Sequence, residues 1–194
     1  MKAVEAGRAA NATGVAGFGG GSSLDVAKLA ALLIGSGEDL DGAWGVGQAK
    51  GPRLPLVLVP TTAGTGSEVT PVSIITVGEE EKRGVSSPAI LPDIAVLDAE
   101  LTLGLPPAIT AATGIDAMVH AIEAYASKNA NNNPLSRMLA RQALQLLGAN
   151  IETAVLDGSN IEARGAMLLG SMLAGQAFAN SPVAAVHALA YPIG

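Results

Sequence analysis

Cysteine is absent from all 194 residues. That excludes a disulfide framework and every thiolate ligand, so zinc-finger and iron–sulfur chemistry drop out and any metal must take nitrogen and oxygen donors. Charge is also sparse: 14% of residues are charged, the net charge is −6, and no basic cluster is visible. A nucleic-acid partner is therefore not expected, because phosphate binding needs a concentrated basic surface. No apolar run reaches the ~18 residues that span a bilayer. The opening MKAVEAGRAAN lacks the apolar centre of a secretory signal. No membrane partner is expected, and a cytoplasmic location is the default reading. Aromatics make up only 3%, whereas glycine occurs 24 times and 49% of the chain is hydrophobic. That composition suits a globular protein of closely packed strands and helices, although high Ala and Gly also fit helix packing alone.

The periodicity divides the chain near residue 105. Before it, Val15 to Phe18 reads as a short strand running into Gly19-Gly20-Gly21-Ser22-Ser23, after which Asp25 to Leu33 keep a helical rhythm up to Gly35-Ser36-Gly37. Residues 38 to 53 look like a surface excursion. Leu54 to Val59 is a continuous apolar run, as expected for a strand covered on both faces. A polar loop over Pro60 to Ser67 follows, then a β-rich stretch over Glu68 to Val77, a charged turn over Glu79 to Arg83 and a strand over Ile94 to Asp98. Beyond Leu105 the pattern predicts helices over 107–113, 114–127, 134–156, 160–179 and 182–190, with Asn129 to Asn133 as a loop. The expected fold is an α/β part over 1–104 followed by an all-helical part over 105–194.

Three groups of residues carry chemistry. A strand opening through glycines into a helix start leaves backbone N–H groups free for an anion. Gly19 to Ser23 meets that description, and a plain tight turn fits it too. Thr61-Thr62-Ala63-Gly64-Thr65-Gly66-Ser67 also follows an apolar strand, and the two loops would open on the same sheet edge, where α/β sheets bind ligands; alternatively its hydroxyls satisfy their own turn. Asp116 and His120 stand four apart, one helical turn, so both reach the same side of their helix. His187 is the only other histidine. One carboxylate and two imidazoles suit Fe²⁺, Zn²⁺, Mn²⁺ or Co²⁺, while a helix-start charge and two ordinary buried histidines remain the plainer account. Glu123, seven residues after Asp116, shares its face or pairs with a base elsewhere.

Taken together, Gly19-Gly20-Gly21-Ser22-Ser23-Leu24-Asp25-Val26-Ala27-Lys28, Pro60 to Thr70, Ala112 to Tyr125, Ala179-Asn180-Ser181-Pro182 and Val186-His187-Ala188-Leu189-Ala190 resemble, in order, the iron-containing (group III) alcohol dehydrogenases. The resemblance implies a Rossmann-like, dehydroquinate synthase-like dinucleotide-binding part and a helical metal-binding part, with NAD or NADP and a divalent metal meeting in a cleft. Fe²⁺ comes first and Zn²⁺ second. It implies Asp116, His120 and His187 as metal ligands. Gly20, Gly21 and Ser22 would hold the diphosphate with Asp25 supporting them, and Thr61, Thr62 and Thr65 would line the nicotinamide half. Lys82 and Leu97 would lie near the cofactor. The implied reaction is metal-assisted hydride transfer between an alcohol and its aldehyde or ketone, in a homo-oligomer with a small-molecule substrate.

Against the family's pattern, the strands before the glycine loop are missing, as is a fourth ligand, a histidine past Gly194. The chain thus reads as an internal fragment, expected to hold metal weakly by itself. Tyr191 stands where many relatives have a proton-relaying histidine, and a tyrosine has a far higher reference pKa. The alternatives are a non-catalytic cofactor-binding fragment and a glycerol dehydrogenase-like or dehydroquinate synthase-like enzyme with another ligand set.

Overall fold

A computed structural model describes residues 2–78, 81–181 and 185–190. The chain divides into two compact units, one of Met1–Pro60 with Ser67–Val96, the other of Thr61–Gly66 with Leu97–Gly194. No helix among the described residues is long and apolar enough to cross a membrane.

The first unit is built around one helix. Its elements are α1 (Lys2–Ala9), β1 (Val15–Gly19), α2 (Gly21–Ser36), α3 (Leu40–Ala43), β2 (Gly45–Val46), β3 (Leu56–Pro60), β4 (Val72–Val77), β5 (Glu81–Ser86) and β6 (Ile94–Ala95). β1, β3 and β6 form a parallel sheet in the order β1-β3-β6, with Gly17 paired to Leu58 and Gly19 to Pro60. A second sheet has the order β2-β5-β4, in which β4 and β5 are an antiparallel hairpin. From Leu24 to Leu33 nearly every α2 residue is buried, since the helix has apolar neighbours on two sides. Leu24, Ala27 and Ala31 pack on Leu56 and Leu58, whereas Leu29, Ala30, Leu32 and Leu33 join Val4, Ala43, Val85 and Ile90. Gly17 permits the close approach. A Cβ there would lie 2.5 Å from Leu58 Cδ2 and 2.7 Å from Ala27 Cβ.

Several expectations change here. β3 is not covered on both faces: Leu56 and Leu58 are buried, Val57 and Val59 only partly. Side chains alternate across a strand, so Phe18 and Ile94 fall on the same face as Val57, and they are 61% and 55% exposed. The charged stretch read as a turn contains β5, whose Glu81 and Lys82 face solvent while Val85 is buried. Half-exposed strands carry charge readily; Gly78, just after β4, adopts φ +66°, and Glu79 and Glu80 lie outside the described residues. The surface excursion includes α3 and β2, anchored by the buried Ala43. α1 is an addition to the expected elements.

The second unit is a helical bundle of α4 (Pro107–Ala126), α5 (Pro134–Leu156), α6 (Ile161–Asn180) and the short α7 (Ala185–Ala190). Asn133 caps α5 through a reciprocal pairing with Ser136, and Pro134 opens its first turn. The two helices expected over 107–113 and 114–127 are one. Gly114 does not break it; a Cβ there would lie 2.7 Å from Met167 Cε and 2.9 Å from Ile151 Cδ1, so the residue serves helix packing. The core is correspondingly small-residued, with Ala117, Ala121, Ala124, Ala140, Ala143, Ala174 and Ala177 around Leu147, Met167 and Leu168. Buried Arg164 ties the start of α4 to that of α6, donating to Thr110 Oγ1 at 2.7 Å, to the Leu105 carbonyl at 3.2 Å and to the Gly158 carbonyl at 3.0 Å.

Candidate metal centre

α4 presents a polar face beside its apolar stripe. Gly114, Ala117, Ala121 and Ala124 turn into the bundle, and the helical period carries Asp116, His120 and Glu123 together on an adjoining line. His187, on α7, completes the group. One potential ligand atom from each of Asp116, His120 and His187 lies within 4.8 Å of the others. Asp116 faces both imidazoles, its Oδ2 at 3.9 Å from His120 Nδ1 and its Oδ1 at 3.8 Å from His187 Nε2. Those gaps are too long for hydrogen bonds. Two ligand bonds of ~2.1 Å to a shared cation would span ~4.2 Å, so an ion fits between them.

The surroundings also suit a cation. His120 is buried, and its Nδ1 has no hydrogen-bond partner among the described residues. A buried polar atom left so is costly, and a metal would satisfy it. The ring stacks on His187 at 4.5 Å between centroids and tilts against Phe178 at 5.2 Å. Burial, the largest influence, pushes the His120 imidazole below its ordinary pKa; His187 adds to that, while the Asp116 carboxylate, a Gly64 backbone hydrogen bond and Glu123 oppose it. The neutral ring, the form that ligates, is favoured. Glu123, left open by the sequence, is buried and bonds to α7: Oε1 accepts from Val186 N–H at 2.6 Å, and Oε2 lies 2.5 Å from His187 Nδ1.

The glycine turn lies in the first unit. Gly19 adopts φ +141°, a conformation that favours glycine, and a Cβ there would meet Ser23 Oγ at 2.8 Å. Gly20 is the N-cap of α2, and no side chain caps the helix. The Ser23 N–H already bonds the Gly20 carbonyl at 3.0 Å, which leaves the N–H groups of half-buried Gly21 and exposed Ser22 to face an anion. Asp25, one turn in, accepts from Ser67 Oγ at 2.6 Å and from Ile74 N–H at 2.9 Å. Lys28, fully buried, lies 3.6 Å from Asp25 and donates to Thr70 Oγ1 and the Val72 carbonyl. Sequence reading assigned Lys28 and Ser67 no role of their own, although the Asp25–Lys28 spacing of three was a signal for an ion pair.

The remaining residues fall in both units. Thr61, Thr62 and Thr65 sit in the loop that belongs to the helical unit, where a Cβ on Gly64 would lie 2.8 Å from Thr113 Cβ. Lys82 is exposed on β5 opposite Thr76, and Leu97 packs against the helical core. Tyr191 lies outside the described residues.

Comparison with known proteins agrees along the chain. The pattern of the family described as iron-containing alcohol dehydrogenase matches residues 1–99, and that of the Fe-containing alcohol dehydrogenase family, C-terminal, matches 110–194. The long-chain-alcohol dehydrogenase 1 of Geobacillus thermodenitrificans is 49% identical over 183 residues, covering 93% of this chain and 46% of the relative. An alcohol dehydrogenase structure from Oenococcus oeni superposes with a TM-score of 0.93 at 37% identity, over 98% of this chain and 50% of that one. A sulfoacetaldehyde reductase from Bifidobacterium kashiwanohense in complex with NAD⁺ gives 0.92 at 37% identity, over 99% and 51%. The chain thus spans about half the length of the relatives it matches.

Proposed function

As this chain belongs to the iron-containing alcohol dehydrogenase family, we propose that it serves metal-assisted hydride transfer between an alcohol and its aldehyde or ketone, with NAD or NADP as the redox partner. The observation that carries the reading is the convergence of Asp116, His120 and His187 within 4.8 Å. Relatives named as alcohol dehydrogenases and an aldehyde reductase support catalysis over a non-catalytic binding fragment.

Asp116, His120 and His187 hold a divalent metal, Fe²⁺ or Zn²⁺, which supplies Lewis acidity that lowers the pKa of an alcohol hydroxyl. Asp116 would offset part of the ion's charge, and burial favours the ligating, neutral form of His120. Phe178 closes one side of His120 with apolar surface, which limits water and strengthens local electrostatics. The open first turn of α2, with Gly20, Gly21 and Ser22, takes the cofactor's diphosphate, and the nicotinamide supplies the redox chemistry. Asp25 holds that turn through Ser67 and Ile74. Thr61, Thr62 and Thr65 line the nicotinamide half; Lys82 and Leu97 are assigned to the cofactor on the family resemblance.

The test is reduction of NAD⁺ or NADP⁺ by a panel of small alcohols after loading with Fe²⁺ or Zn²⁺, beside the Asp116→Ala and His187→Ala variants. Metal-dependent turnover lost in both variants is expected. Turnover that survives in both, or none with any alcohol, metal and cofactor combined, overturns the reading.

A further inference from the structure

Glu123 is a carboxylate with 4% exposure on a helix whose other buried residues are mostly small and apolar. Such a group persists only where partners replace its lost water. Two such partners come from α7. Val186 N–H donates to one oxygen, and His187 Nδ1 lies 2.5 Å from the other.

We propose that Glu123 is a positioning residue for His187: it selects the imidazole tautomer and holds the ring so that Nε2 faces Asp116. This rests on the metal reading above. A carboxylate only accepts, so the proton of the neutral ring sits on Nδ1 and the lone pair on Nε2. Nε2 is the nitrogen 3.8 Å from Asp116 Oδ1. One face of α4 then supplies everything the centre needs from that helix, at spacings of four and three: Asp116 and His120 as donors, Glu123 as the group that orients the third donor. The bond to Val186 fixes the backbone immediately before His187, so ring and backbone are held by one side chain. Carboxylate–imidazole–metal pairings raise ligand basicity and fix orientation in this way.

Glu123→Gln separates positioning from packing. The amide keeps the volume, and its oxygen can still accept from Val186, but its NH₂ donates towards Nδ1. That favours the proton on Nε2, the tautomer that cannot ligate. The experiment combines two readouts on the whole chain: ¹⁵N-histidine NMR of the metal-free protein, with His187 identified by His187→Ala, and Co²⁺ titration followed by visible absorption. Wild type is expected to show His187 protonated on Nδ1. Glu123→Gln, with unchanged circular dichroism, is expected to shift the proton to Nε2 and to bind Co²⁺ about 10- to 100-fold more weakly. A wild-type His187 protonated on Nε2 overturns the proposal, as does a folded Glu123→Gln with wild-type Co²⁺ affinity. If wild type shows the Nδ1 tautomer yet takes up no Co²⁺, the metal reading fails while the tautomer assignment stands. Should Glu123→Gln fail to fold, the wild-type NMR decides alone.

Discussion

Lys28 and Val72 are joined by a 2.7 Å bond from the Nζ to the main-chain carbonyl, and the lysine has no solvent exposure. A long charged side chain thus runs through the interior of the first unit, stitching α2 to the start of β4. Thr70 at 3.2 Å and Asp25 at 3.6 Å complete its surroundings.

Replacing Lys28 with Met keeps the apolar stem and removes the ammonium, leaving Val72 and Asp25 short of a partner. We expect a loss of about 2–4 kcal/mol at pH 7, measured by urea denaturation. An unchanged midpoint would show the network to be dispensable.

The same lysine gives a pH signature. Burial, the largest cause, pushes its pKa down to about 8, against the pull of Asp25 and Glu68. Between about 8 and 10.5 the unfolded chain therefore carries a proton that the folded chain has released. Stability from this group rises with pH across that window. The stability gap between wild type and Lys28→Met should widen from pH 8 to 10.5, and a constant gap would contradict the assignment.

Asp93 is shifted in the same direction, in an acid window. Its hydrogen bonds from Arg53 and from the Leu56 N–H hold its pKa down to about 2. Its contribution is complete above the unfolded value near 4 and is lost as pH falls towards 2. Because the side chain is half exposed, Asp93→Asn should cost no more than about 1 kcal/mol at pH 7. The difference from wild type should vanish by pH 2; one that persists there would rule out the ion pair as its source.

Two glycines with similar backbone angles should respond differently to alanine. Gly66 has φ +59°, and a Cβ there would lie 2.6 Å from Gly175 Cα, where backbone cannot yield. Gly78 has φ +66° with nothing within 4 Å. Gly66→Ala should cost about 2–4 kcal/mol, and Gly78→Ala about 1 kcal/mol, the conformational part alone. Equal costs in thermal melts would remove the packing argument.

The open sheet face bearing Phe18 and Ile94 should drive self-association, as exposed apolar patches do. Light scattering is expected to show mass rising with concentration, and Phe18→Ser should reduce the rise with little change in stability. A wild type that stays monomeric at all concentrations would refute this.

The α5 boundaries were legible because Asn133, Pro134 and Ser136 cap the helix through neighbours in sequence. Gly114 misled for the opposite reason: locally it resembles a helix end, and its purpose is set by Met167 and Ile151 on other helices. β5 was missed because half of its surface faces water, so charge masked the strand. For the candidate centre, Asp116 and His120 could be paired on paper, since a helix brings residues four apart onto one side.

Local covalent spacing and hydrophobic period therefore determined, without coordinates, an α/β part followed by helices and the donor types any metal must use. Only the tertiary structure decided that His187 comes within 3.8 Å of Asp116, that buried Glu123 sits behind its Nδ1, and that Lys28 crosses the core. Those relationships join residues dozens of positions apart. They exist because α4 and α7, or α2 and β4, pack side by side, and no short-range pattern encodes which buried charge meets which partner.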